Sequence, residues 1–554
     1  MSTSLSLTGK RWNFSSEMDK TPDVYDGIRL LGQRRGLEHA EISIIPWMTT
    51  IPTLTHACER LQRALASGEG IGLFGDYDCD GITATALLVR CIRRFGIEPI
   101  ARLPHRLSEG YGLQSSTVAE FHAAGVTLLI TLDTGIGAHR EIAEAKRLGM
   151  DVIVIDHHRP PVTLPDVVAL LHPSFSTQPP ASAPCTAGIA FGFISCFAQS
   201  CPPPLITGDD PEMDRALAAI GTIADLVPLT GMNRELVKDG LLSLERVTDG
   251  PLAILREKTR TGQTPLTARD VAFRIAPRLN AAGRMDDPHI ALQGLLGNTE
   301  SLHELEKLNT ERQQDTMRRM DALMAKSAEW EHDACICAAD ANYSPGIVGL
   351  LAGKLTESFG KPSLVASIRD DVCIASLRGI PGYDLVEGLT SCADLLTTFG
   401  GHRQAAGCRF PLTHFDDVRQ RLNAHVAERV PSGERAPSLT IDLALTAARV
   451  TADLCSAVAV LEPFGAGNPE PMFLLSGTTV KHCRRVGTDG AHLQGFVGNV
   501  GVIGFRLGHL LGNIQDRHVD LACKIGINEW QGIKKPQLIV EDLRITPAPT
   551  SLPS

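Results

Sequence analysis

The stretch "GDYDCDG" (residues 75–81) sets three carboxylates, Asp76, Asp78 and Asp80, at alternating positions and closes them on a glycine. A calcium-binding EF-hand needs a bidentate Glu at the twelfth position of its loop. Counted from Asp76 that position is Leu87, so the EF-hand fails. Upstream, "IGLF" (71–74) has no polar member and predicts a buried parallel strand. Downstream, "ITATALLVRCIRR" (82–94) predicts a helix. A loop that joins a strand to a helix at the strand's carboxyl end is where open α/β sheets bind ligands. A solvated turn is the plainer alternative, common for one Asp and wasteful for three, because the acids repel one another unless a cation lies between them.

Further along, "TLLITLDTGIG" (127–137) places Asp133 directly after an apolar strand, and "DVIVIDHH" (151–158) places Asp156, His157 and His158 after the next. Asp225 emerges from the apolar segment "AAIGTIADLVPL" (218–229), where an unpaired charge is costly. Each has a bland reading taken singly: Asp133 as a helix N-cap, "DHH" as a turn with a structural histidine, Asp225 as a cap or the buried partner of an arginine. Four such groups at strand ends in one domain favour a shared site. Oxygen and nitrogen donors without a thiolate favour Mn2+ or Mg2+ over structural zinc. Five or more ligands fit two ions, about 3.5 to 4 Å apart, better than one.

With 554 residues the chain is too long for a single core and implies three or four domains. Apolar residues make up 43% and charged residues 21%, which excludes a disordered chain. No apolar run is long enough to span a membrane, and "MSTSLSLTGKRWNF" lacks the hydrophobic segment of a signal peptide, so a soluble cytoplasmic protein is expected. Fourteen cysteines, scattered and without a CxxC, read as reduced core thiols. A net charge of −10 argues against a surface basic all over, while leaving room for a positive cleft.

Residues 1–45 read as an N-terminal arm. From 46 to 298 strands alternate with helices, the signature of βαβ units, interrupted by the Pro/Ser/Ala loop "PSFSTQPPASAPC" (173–185). Residues 299–330, with Leu302, Leu305, Leu308, Met317, Met320 and Leu323, predict a long amphipathic connecting helix. A second α/β block covers 331–430, a linker with a helical segment 431–465, a β-rich barrel 466–545 and a loose tail 546–554.

"DYDCDG", "LDTG", "DHH" and "GTIADLVPL", in that order, resemble the four motifs of the DHH phosphoesterases. "APRLNAAGRM" (276–285), "SPGIVGLLAGKL" (344–355), "GGHRQAAG" (400–407) and "LEPFGAGNPEPMF" (461–473) are similar to the RecJ branch with its DHHA1 domain. The resemblance covers about residues 45–545. It implies an α/β fold: a parallel-sheet DHH domain joined by a long helix to an α/β DHHA1 domain, plus a C-terminal β-barrel of the OB-fold type. It further implies a two-metal exonuclease that digests single-stranded DNA from the 5′ end to 5′-mononucleotides, in DNA repair and recombination. Its expected setting is a monomer with single-strand-binding protein or a helicase as partners.

Carried over by position, the resemblance makes Asp78, Asp80, Asp133, His157 and Asp225 metal ligands, with Asp133 as bridge and Asp76 as a ligand or support. His158 would face the scissile phosphate or protonate the leaving oxygen, and Asp156 would orient a histidine. Arg106, Arg284, Ser376 and Arg378 match positions that hold the end phosphate, with Arg278 and Asn280 as neighbours and His402 on the nucleotide. Their plainer reading is surface or interdomain salt bridges. Residues 470–540 carry eight Lys/Arg against five acids. Lys481, Arg484, Arg485, Lys534 and Lys535 are therefore candidate contacts to a single strand, and Phe496, Phe505 and Trp530 are either stacking faces or barrel filling.

Three departures from the pattern bear on substrate grip: His172 and Pro173 in place of Asn-Pro, Gly379 in place of Ser, and Thr134 in place of Asn or Cys. The rival readings are a phosphodiesterase for RNA or short oligonucleotides and a non-catalytic DNA-binding scaffold. The intact Asp and His set argues against the scaffold.

Overall fold

The computed structural model describes residues 5–15, 23–37, 43–106, 108–110, 112–201, 211–260, 265–431, 437–530 and 532–546, the side chain of Trp530 excepted. The expected tail beyond 546 and residues 1–4, 16–22 and 38–42 of the expected arm lie outside them.

The apolar runs form a five-stranded sheet in the order Ile100–Arg102, Gly70–Gly75, Val126–Leu132, Asp151–Ile155, Ala169–Leu171, with every neighbouring pair parallel. Strands without a polar face need cover on both sides. The helix Cys79–Arg93 supplies much of it on one side and is itself buried from Cys79 to Val89. That burial accounts for the small apolar texture of "ITATALLV", which has no solvent face to serve. The first of these five strands in chain order lies between the second and the third, so the strand order reverses beside it. Flanking connections leave in opposite directions there and open a crevice at the carboxyl ends. The Asp76–Asp80 loop and Asp133 leave the sheet at this reversal.

The helix Thr299–Met324 has 26 residues and is about 39 Å long at 1.5 Å per residue. Leu302, Leu305 and Leu308 pack into the core of the first sheet domain, and Leu323 packs into that of the second. Met317, expected on the apolar stripe, is 63% exposed, because the helix there crosses between the two cores. The second sheet runs Thr398–His402, Ala405–Pro411, Val372–Arg378, Ser363–Arg369, Ile336–Asp340. Its last pair is parallel and the others antiparallel.

The C-terminal strands form a seven-stranded sheet from Leu443–Ala444 to the edge strand Lys481–Val486. The N-terminal segment is built into this domain. Arg11–Phe14 pairs in parallel with Ser438–Ile441, Trp12 Nε1 donates to buried Asp542 Oδ2 at 2.7 Å, and Ile28 and Leu31 enter the barrel core. Among the described residues no helix is long and apolar enough to cross a membrane.

Candidate active site

Gly81 lets the first loop close. A Cβ there would lie 2.6 to 2.8 Å from the backbone of Asp76, so only glycine brings the helix start against the strand end. Asp78 caps that helix, its Oδ1 accepting from the amides of Asp80 and Gly81 at 3.0 and 3.1 Å. The Asp80 carboxylate accepts from the amides of Thr186 and Ala187 at 2.9 and 2.8 Å. These open the helix Thr186–Ser200, where exposed N–H groups and the helix dipole favour an anion.

Asp133 turns sharply off its strand with φ +65°, and its Oδ1 accepts from Thr186 Oγ1 at 3.0 Å. It caps no helix, since the next one begins at His139. Asp156 is buried and accepts from the amides of Ile136, His157 and His158. Its Oδ1 also lies 2.8 Å from His158 Nδ1, so the histidine it orients is His158.

Asp225 is the exception to the strand-end expectation. It follows the helix Pro211–Ala224, whose end reaches into the same crevice. Among the described residues its ion-pair partner is His157 rather than an arginine. His157 Nε2 lies 3.3 Å from Asp133, 3.6 Å from Asp225 and 3.9 Å from Asp80. The ligand atoms fall into three sets, each within 4.8 Å: Asp76, Asp78 and Asp133; Asp80, His157 and Asp225; Asp133, His157 and His158. Asp133 belongs to two of them.

Burial, then mutual repulsion, raises Asp76 and Asp80 well above the carboxylate range, Asp78 to about 6 and Asp225 to about 8. Burial opposes charge on both histidines. The hydrogen bond and charge of Asp133 nevertheless raise His157, and Asp156 with Asp133 carries His158 up to about 10. Burial alone would raise Asp156, but its bond to His158 holds it low. Asp76 Oδ1 is buried without a hydrogen-bond partner among the described residues. An orphaned buried carboxylate oxygen beside mutually repelling acids fits a divalent cation, and an all-oxygen-and-nitrogen donor set suits Mn2+ or Mg2+.

Beside this cluster, Tyr77 carries the Arg106 guanidinium 5.0 Å over its ring. Arg106 opens a cleft of about 340 Å³ whose lining includes Ser376, Arg378, Gly401, Gly407 and Arg409. Arg378 Nη1 donates to Ser376 Oγ at 3.1 Å. Arg284 reaches across from the first domain, its Nη1 donating to Gly346 O at 3.2 Å. Burial and then the charges of Arg106, Arg312 and Arg378 lower Arg284 to about 9, as expected of guanidinium groups gathered around a place for an anion. His402 stands in one cross-strand row with Ala405 and Arg378.

Two predicted neighbours are engaged elsewhere. Arg278 pairs with Glu306 of the connecting helix at 2.8 Å, the salt bridge of its plainer reading. Asn280 Oδ1 accepts from the amide of Cys79 at 2.8 Å and braces the carboxylate loop.

Three family models match in succession: "DHH family, N-terminal domain" over residues 70–220, "DHHA1 domain" over 332–428 and "RecJ OB domain" over 441–542. The single-stranded-DNA-specific exonuclease RecJ of Thermus thermophilus is 36% identical over 523 residues, covering 92% of this chain and 74% of that protein. The chain belongs to the RecJ family. RecJ of Bacillus subtilis is 33% identical over 508 residues, covering 89% of this chain, which spans 63% of the length of that relative. The crystal structure of T. thermophilus RecJ in complex with Mn2+ superposes with a TM-score of 0.83 at 31% identity, covering 98% of this chain and 80% of that one.

Two of the three departures from the RecJ pattern, His172 and Gly379, have local explanations, and nothing in the structure explains Thr134. His172 Nδ1 accepts from Ser174 N, which leaves Nε2 to donate to His158 O at 2.8 Å. It thereby supports the turn that holds both histidines, and burial lowers its pKa. Gly379 sits where a Cβ would meet Arg403 O at 3.2 Å, so a serine would crowd the strand end. Thr134 is buried beside the same turn as Asp133.

On the barrel, Lys481, Arg484 and Arg485 lie on an edge strand, with Lys481 opposite Phe496. Lys534 and Lys535 lie on a different strand, Ile533–Ile545. Phe496 and Phe505 are 45% and 57% exposed, so they do not fill the barrel. Thr186, Ala187 and Arg409 escaped sequence reading. The first two act partly through backbone amides, which no side-chain identity announces, and the lone basic residue Arg409 acquires its place only from strand pairing.

Proposed function

We propose that this chain is a divalent-metal-dependent exonuclease that hydrolyses single-stranded DNA from its 5′ end to 5′-mononucleotides. The supporting observation is adjacency: the Asp/His cluster and the guanidinium-lined cleft meet at Tyr77 and Arg106. A terminal phosphate gripped by Arg106, Arg284, Ser376 and Arg378 sets the register, and the next phosphodiester falls at the cluster. Asp76, Asp78 and Asp133 would hold one ion, and Asp80, Asp133, His157 and Asp225 the other. When bound, such ions lower the pKa of coordinated water and offset charge on the phosphoryl oxygens.

The chain's own residues do the rest. Asp156 fixes the His158 ring through Nδ1, so that Nε2 meets the scissile phosphate or delivers a proton to the leaving oxygen. The exposed Phe496 and Phe505 with Lys481, Arg484 and Arg485 give the strand a stacking and charge track, and Lys534 and Lys535 extend it. The protein acts as a cytoplasmic monomer in repair and recombination, alongside single-strand-binding protein or a helicase.

The test is digestion of 5′-labelled single-stranded DNA and RNA with Mn2+, by the parent and by Asp133→Ala. Mononucleotide release from DNA by the parent alone is the expected result. Release from RNA only would favour the oligoribonucleotide reading, and tight DNA binding without turnover would leave a scaffold.

A further inference from the structure

The stretch "EPFGAGNPEP" (462–471) leads toward the barrel, yet it packs on the loop that carries Asp225. After Asp225 the chain passes through Leu226 at φ +61°, a conformation disfavoured for a residue with a side chain, which persists only where surrounding contacts fix it. Leu226 itself is exposed, and the contacts that hold the loop come two and three residues on, at Pro228 and Leu229, from the barrel side. Leu229 N donates to Ala466 O at 2.7 Å. A Cβ on Gly465 would lie 2.7 Å from Leu229 Cδ1, and one on Gly467 would lie 2.8 Å from Pro228 Cβ. Buried Arg234 donates through Nη2 to the carbonyls of Val460 and Glu462 at 2.9 and 2.8 Å. The turn is held in shape by buried Asn468, whose Nδ2 donates to Leu461 O and Pro463 O.

The same loop is tied on its other side. Asn233 Nδ2 donates to Pro228 O and to Ala183 O, three residues before the Thr186 that holds Asp80 and Asp133. A continuous set of hydrogen bonds and close contacts thus runs from the barrel's leading turn to the carboxylates.

We propose that the Leu461–Asn468 turn is a positioning element for the metal centre: by fixing Pro228 and Leu229 it sets where the Asp225 carboxylate stands, so that docking of the barrel and seating of Asp225 are one arrangement. This rests on Asp225 being a metal ligand.

The experiment uses the full chain and calorimetric Mn2+ titration in the absence of DNA. Gly465→Ala pushes a methyl group against Leu229, and its Mn2+ affinity is expected to fall about tenfold, as for residues that orient a metal ligand. Affinity for single-stranded DNA without metal should stay within about twofold, since the barrel face is untouched. Adding Leu229→Ala removes the atom the new methyl meets and should restore Mn2+ binding. Arg234→Gln, which deletes two donors without adding bulk, carries the same expected loss if the glycine variant does not fold. Asp225→Asn separates the two claims. If it binds Mn2+ like the parent, the ligand assignment fails. If it binds weakly while folded Gly465→Ala and Arg234→Gln bind normally, or if the Gly465→Ala loss survives Leu229→Ala, the positioning role is overturned.

Discussion

Asp156 belongs to none of the three clustered ligand sets among the described residues, yet it accepts from three amides and lies 2.8 Å from an imidazole nitrogen, and thereby fixes His158. Asp156→Asn keeps the shape and gives up the charge. It is expected to lower kcat about 10- to 100-fold with little change in KM, measured by steady-state hydrolysis of labelled single-stranded DNA. A proportional rise in KM would place His158 in substrate binding instead. The carboxylates and histidines of the centre were legible in the sequence, because each interrupts an apolar run where an unpaired charge is unfavourable. The partners of Arg278 and Asn280 were not. Glu306 and Cys79 are distant in sequence from them, and only packing decides whether an arginine faces an anion or a carboxylate.

At the scale of elements, the strand Val372–Arg378 and its neighbour Ala405–Pro411 line the cleft proposed to hold the end phosphate. Ser376 and Arg378 are two residues apart and therefore share a face, and the residues opposite them, Gly407 and Ala405, are small enough to leave it open. Arg378→Ala is expected to raise KM at least tenfold for 5′-phosphorylated single strands and to leave 5′-hydroxyl strands nearly unchanged, as competition between the two would read. The parallel sheet was legible from three apolar strands in alternation with helices. The docking of the N-terminal strand was not, because four residues of alternating pattern announce no partner, and Ser438–Ile441 lies on the far side of the chain. Asp225 likewise looked like a strand-end acid, since an apolar run that ends in an acid reads alike for a buried helix and a buried strand.

For the whole molecule, the crowded acids make stability depend on pH in the absence of metal. Asp78 at about 6 and Asp225 at about 8 stand above the unfolded carboxylate value of about 3.9. The folded state therefore binds more protons, and the stability these groups contribute, full below about pH 4, is lost as pH rises through about 6 and about 8. His158, raised to about 10, has the same sign. A divalent ion removes the repulsion, so the gain in Tm on adding Mn2+ to chelator-treated protein is expected to grow from about pH 5 to about pH 9. A gain independent of pH would contradict ions seated among these acids.

The most direct measurement is anomalous diffraction from crystals grown with Mn2+. Two peaks about 3.5 to 4 Å apart are predicted on either side of the Asp133 carboxylate, one facing Asp76 and Asp78, the other facing Asp80, His157 and Asp225. A single peak, or peaks away from Asp133, would contradict the account.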